Sequence, residues 1–160
     1  MRCTARLAMA VSLLGLGLVV AFGAAAQPSR PAIPDAVVRK MIELGLKNID
    51  RALCDGFNQC KAATPAEYER PPITIENARV AVATGVRSAF ARWCGFDADR
   101  RSVAPLMRQL RQGRQFSERQ VALMAVIHGI QQSITSDQLK AQGECDAATR
   151  SRIDAQLPKS

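Results

Sequence analysis

The sequence predicts an all-α protein, a small bundle of four to five helices stapled by disulfides. Three observations predict it. Apolar residues recur at helical spacing in several separate stretches. No run alternates with period two over four or more residues, apart from the stretch around Pro72-Ile73-Thr74-Ile75. Beyond the first 26 residues the chain keeps four cysteines, Cys54, Cys60, Cys94 and Cys145, and an even count in an exported chain reads as cross-links.

The N-terminal element is a segment for export. Arg2 and Arg6 are followed by an apolar run from Leu7 to Phe22, then by Ala24 and Ala26 at the small positions of a cleavage site, and no further charge appears until Arg30. That is the anatomy of a signal peptide over residues 1–26. The run is also long enough to anchor the chain in a membrane if left uncleaved, although Gly15, Gly17, Gly23 and the small-residue site favour cleavage. Cys3 precedes the apolar run, the wrong side for a lipid anchor. The expected location is therefore periplasmic or secreted.

Residues 27–34 carry three prolines and read as a flexible leader. Residues 35–160 then form the single helical domain, with room for one core. A first helix opens at Asp35 and runs to about Leu53, with Val38, Met41, Ile42, Gly45, Ile49 and Leu53 on one stripe. Cys54 to Pro72 is a loop with one short helical turn, because Thr64-Pro65-Ala66-Glu67 has the form of a capping box with proline at the first helical position. A second long helix follows Thr74 and reaches Trp93, with Ala78, Val82, Val86, Ala89, Phe90 and Trp93 as its apolar line and Gly95 as its left-handed stop. The next spans Arg101 to Gln112, tolerating Pro105 in its first turns. Ser117-Glu118-Arg119-Gln120 caps another, striped by Leu123, Ile127, Ile130 and Ile134 and ending between Ser136 and Gly143. A last helix, capped by Asp146, runs to Leu157 and packs only Ala147, Ile153 and Leu157.

Four cysteines allow three pairings. Cys54 with Cys60 and Cys94 with Cys145 is the favoured one, worth about 2 and about 4 kcal/mol by loop length. A zinc site is the weaker reading, since Cys-x5-Cys is the single close pair and His128 is the only histidine. A catalytic cysteine would need a free thiolate, against which an oxidising compartment works. No metal and no cofactor is expected.

Formal charge is +8, and +6 once Arg2 and Arg6 leave with the export segment. The excess is uneven: six arginines against Glu118 alone lie between Arg100 and Arg119. Arg101, Arg108, Arg111 and Arg114 are the candidate binding residues for an anionic envelope component or an acidic partner protein, since guanidinium groups grip phosphate and carboxylate in pairs of hydrogen bonds. The plainer reading is a solvated helix face. Nucleic acid is a poor partner for an exported chain whose basic segment offers only Phe116 for stacking. Membrane contact is expected only through the export segment, if uncleaved.

His128 is a candidate pH-sensitive group, or simply a structural histidine beside the apolar stripe. Carboxylate pairs such as Glu67 with Glu69 and Asp97 with Asp99 are explained by caps and solubility. The common catalytic motifs are missing: there is no G-x-S-x-G, no H-E-x-x-H and no phosphate-cradling glycine loop.

Two stretches are distinctive, Arg92-Trp93-Cys94-Gly95-Phe96-Asp97 and Glu118-Arg119-Gln120 with Ile127-His128-Gly129-Ile130-Gln131-Gln132. Together they resemble a group of small exported bacterial proteins that carry a Trp-Cys-Gly-(Phe/Leu)-Asp turn. The resemblance covers roughly the last 70 residues and implies periplasmic residence and a helical fold, with no activity attached. On physical grounds Trp93 is expected to plug the core beside the Cys94 bridge, and Gly129 to let another helix approach closely. The function expected is that of a non-catalytic binding or accessory protein. The alternatives are a periplasmic stress chaperone or inhibitor, and more remotely a hydrolase of unfamiliar type around His128.

Overall fold

The computed structural model describes residues 33–54, 56, 58–112 and 115–159. The expected export segment, most of the expected leader and Arg114 lie outside the described residues. The domain is built from helices: α1 (Asp35–Lys47), α2 (Pro65–Glu69), α3 (Ile75–Trp93), α4 (Ala104–Arg111), α5 (Glu118–Lys140) and α6 (Ala147–Gln156). A 3-10 turn at Ile49–Arg51 follows α1, and a π-turn at Asp99–Val103 leads into α4. Among the described residues there is no strand, only one isolated bridge between Leu53 and Gln59. The all-α, disulfide-stapled class is what the sequence predicts: the described residues form five longer helices and the short α2, the helical turn expected in the loop before Pro72.

The caps are those written in the sequence. Thr64 and Glu67 form a reciprocal capping box at α2, and Ser117 and Gln120 form another at α5. The Thr74 and Asp146 side chains accept the backbone N–H groups of Asn77 and Thr149. Each satisfies an orphan donor and is worth about 1 kcal/mol. α3 closes in a Schellman motif, with Phe96 N–H donating to Ala91 O and Gly95 N–H to Arg92 O. Gly95 takes φ +76°, the left-handed geometry this motif requires.

Two elements depart from expectation. α1 stops at Lys47 because Asn48 leaves helical geometry and its side-chain amide donates to Leu44 O. The 3-10 turn still buries Ile49, but Leu53 is 57% exposed. The other departure precedes α4. Pro105 cannot donate to the carbonyl of Arg101, and its ring crowds that carbonyl. The preceding turn opens into a π-turn, in which Ala104 N–H donates to Asp99 O. The extra residue rotates Arg101 out of line with Arg108.

α3 and α5 form the most extensive helix pair, and α1 packs on both. Gly85 makes the first contact possible: a Cβ there would stand 2.6 Å from His128 O. The face of α3 turned inward is accordingly a line of small residues, Ala78, Ala81, Gly85, Ser88 and Ala89, together with Val82. Val86, Phe90 and Trp93, expected on that line, are only partly buried. Gly129 does not serve a close approach, being exposed with nothing near its missing Cβ. On α5 Ile130 is half-buried and Ile134 is 39% exposed, whereas Val121, Leu123, Met124 and Ile127 are enclosed.

The main core joins α1, α3, α4 and α5 around Val38, Met41, Leu46, Ile49, Leu123 and Ile127, and each fully buried aliphatic contributes about 1.5–3 kcal/mol. A separate small core gathers Ala91, Cys94 and Ala98 with Ile153 and Leu157 from the chain's end, while Ala147 stays exposed. Trp93 lies against this lesser core and does not plug the main one; its indole Nε1–H donates to Gly143 O at 2.7 Å. Cys54–Cys60 closes a short loop, and Cys94–Cys145 ties the end of α3 to the start of α6.

Candidate functional site

Arg100 is exposed in the π-turn, and the other described arginines up to Arg119 divide into two groups. Arg101 is turned inward to the chain's end. It donates to the Asp154 carboxylate at 2.6 Å and to the carbonyls of Asp154 and Pro158, and its guanidinium lies 5.2 Å from the Phe96 ring centre. Arg150 stacks on the same ring at 5.0 Å. Arg101 is thus a clasp for α6 and does not join the α4 arginines. Arg119 is also internal: it grips Glu67 through Nε at 2.6 Å and Nη2 at 2.9 Å, and donates to Lys61 O and Ala62 O. The Arg119 guanidinium, foremost, holds the Glu67 carboxyl down to about 2, and Glu67 in turn raises Arg119.

Arg108 and Arg111 remain exposed on α4 with no ion-pair partner among the described residues. Three residues apart, they are neighbours on one helix face. Arg114 belongs to the same basic segment but lies outside the described residues.

His128 is buried, 5% exposed, at the crossing of α5 with α3. Its Nε2 lies 2.9 Å from Ser88 Oγ, which lies 2.8 Å from Ser102 Oγ in the π-turn. Ser88 is fully enclosed and Ser102 is 2% exposed. Burial, foremost, pushes the imidazole below its ordinary value; the positive charge of Arg92 adds to this and Asp99 opposes it. Arg92 and Asp99 are themselves joined at 2.8 Å. The sequence identified His128 but not its two serine partners. Their signal was slight: Ser88 falls on the small-residue line of α3, and Ser102 stands four residues before a buried leucine, Leu106.

A hydroxyl 2.9 Å from an imidazole has the reach of a nucleophile and its base. Here the hydroxyl is sealed inside the fold, so the trio is a satisfied polar bridge between three elements. Among the described residues no three His, Cys, Asp or Glu side chains gather as a metal site, and no helix is long and apolar enough to cross a membrane. The two disulfides fit a protein matured in an oxidising environment. No known protein family, curated protein or solved structure matches the chain.

Proposed function

We propose that the protein is a non-catalytic binding or accessory protein of the periplasm or extracellular space, holding an anionic envelope component or acidic partner through α4. One observation carries this reading: Arg108 and Arg111 stand together in solvent without an acidic partner among the described residues, while Arg101 and Arg119 are spent on internal contacts. Paired guanidinium groups on a rigid helix present several parallel donors to phosphate or carboxylate. The export segment, the two disulfides and the resemblance to small exported proteins support the location.

The test is capture from a periplasmic extract by the wild-type protein and by Arg108→Gln/Arg111→Gln, with Arg101→Gln beside them. The double variant is expected to lose capture with its helical content unchanged, and wild-type capture should fade as salt rises. Arg101→Gln should loosen the chain's end yet still capture. Undiminished capture by the double variant would sink the proposal.

A second reading, a chaperone or inhibitor that loosens in acid, is favoured by the buried His128–Ser88–Ser102 bridge. Protonating a buried ring whose Nε2 meets the Ser88 hydroxyl, and which Arg92 faces, places an ill-solvated charge at the joint of α3, α5 and the π-turn. Client protection measured from pH 7 down to pH 3 separates the two readings, and a flat response removes the second.

A further inference from the structure

A trough of about 630 Å³ lies between α1, α2 and the start of α3, away from the α4 arginines. Its floor is apolar: Ile42 and Leu46 from α1 and Ile73 before α3 are each no more than 6% exposed. One wall is the Tyr68 ring, 42% exposed, a flat amphipathic surface of the kind that covers ligands. The volume is within the usual range for small-molecule sites.

The rim carries charge of both signs. Glu43 is already occupied, its carboxylate held by Lys47 at 2.7 Å and Lys40 at 3.0 Å. Arg39 and Glu69 also line the trough, and neither makes a side-chain hydrogen bond or ion pair with any described residue. They do not pair with each other across it. The trough therefore offers one guanidinium, one carboxylate and an apolar bed between walls that hold all three.

We propose that this trough binds a short apolar peptide with free termini. The peptide carboxylate meets Arg39, which can grip it with two parallel N–H donors. The ammonium meets Glu69, and the apolar side chains lie on Ile42, Leu46 and Tyr68. The opposed rim charges select this class over its rivals. A purely anionic amphiphile would set its charge against Glu69, and a purely cationic one would leave Arg39 unanswered while bringing like charge towards it.

The experiment is calorimetric titration of the intact protein with the dipeptide leucyl-phenylalanine and with its N-acetyl, C-amide and doubly blocked forms. Saturable one-to-one binding of the free dipeptide is expected. Arg39→Gln should weaken the free acid about tenfold but leave the amide unchanged, and Glu69→Gln should do the same for the free amine against the acetylated form. Tyr68→Ala should weaken all four. Arg39 and Glu69 are exposed and make no side-chain hydrogen bond or ion pair among the described residues, so the two variants keep the fold, which circular dichroism verifies. Absence of saturable binding overturns the proposal, as does equal affinity for the doubly blocked peptide. So does a self-association in sedimentation that the Tyr68→Ala variant abolishes, which would give the trough to a second copy. Arg108→Gln/Arg111→Gln should leave peptide binding intact, so this proposal stands or falls separately from the α4 reading.

Discussion

Replacing Cys94 and Cys145 together by alanine removes the longer of the two covalent loops. The bonded residues are 51 apart in sequence, and the chain-entropy treatment assigns a loop of that length about 4 kcal/mol. Cys54 and Cys60 are only 6 apart, which gives about 2 kcal/mol. Alanine is the appropriate replacement because Cys94 is 2% exposed, and serine would add a hydroxyl to an apolar site. Equilibrium unfolding in urea should show the Cys94→Ala/Cys145→Ala protein losing roughly twice the stability lost by Cys54→Ala/Cys60→Ala. For a domain of this size the larger loss lowers the melting temperature by on the order of 10–20 °C. The damage should also be local. α6 meets the rest of the fold through Ile153, Leu157 and the Arg101 clasp, so amide exchange should rise there before it rises in α3 or α5. Equal losses from the two pairs, or a larger loss from the short loop, would refute the reasoning.

Three further outcomes follow from particular contacts. Gly85→Ala drives a methyl to 2.6 Å from His128 O, and since backbone cannot swing aside, the α3–α5 contact must open at about 2–3 kcal/mol; an unchanged urea midpoint would show that the helices separate freely. Because burial lowers the His128 pKa from 6.5, the unfolded chain takes up the proton first, so stability should be full above about pH 6.5 and decline as pH falls below it. His128→Gln should flatten that part of the profile. Glu67 titrates at about 2 in the fold against 4.5 when free, so its contribution is present above pH 4.5 and disappears as pH falls towards 2; Glu67 and Arg119 are 20% and 27% exposed, and with solvent screening the effect is about 1–2 kcal/mol. Glu67→Gln should cost that much at pH 7 and nothing near pH 2, and a loss independent of pH would contradict the assignment.

Local rules were the legible part of the fold. Side chains at Thr64, Thr74, Ser117 and Asp146 announce helix starts because each acts on backbone a few residues away, and Gly95 marks the end of α3 for the same reason. The disulfide pairs were also within reach, since four cysteines leave few choices. What pattern reading missed depends on contacts distant in sequence. Bulk marked Val86, Phe90 and Trp93 as the buried line of α3, but α5 approaches so closely that small residues occupy it. For the same reason the glycine that matters is Gly85 and not Gly129. A regular helix from Arg101 to Gln112 would put Arg101 and Arg108 on one face, a spacing that the π-turn ahead of Pro105 breaks. Ser88 and Ser102 carry no motif, and only the fold brings the Ser88 hydroxyl to His128 and the Ser102 hydroxyl to Ser88.

The chain holds one tryptophan, and Trp93 stands against the lesser core, its indole fixed to the Gly143 carbonyl. Intrinsic fluorescence is therefore a local reporter, sensitive to detachment of the C-terminal segment and nearly blind to the interior shared by α1, α3 and α5. Ellipticity near 222 nm, a general property of helices, weighs the whole bundle. Should the tail let go first, emission will change at lower denaturant than ellipticity does, and the gap between the two curves measures how independently the smaller half melts.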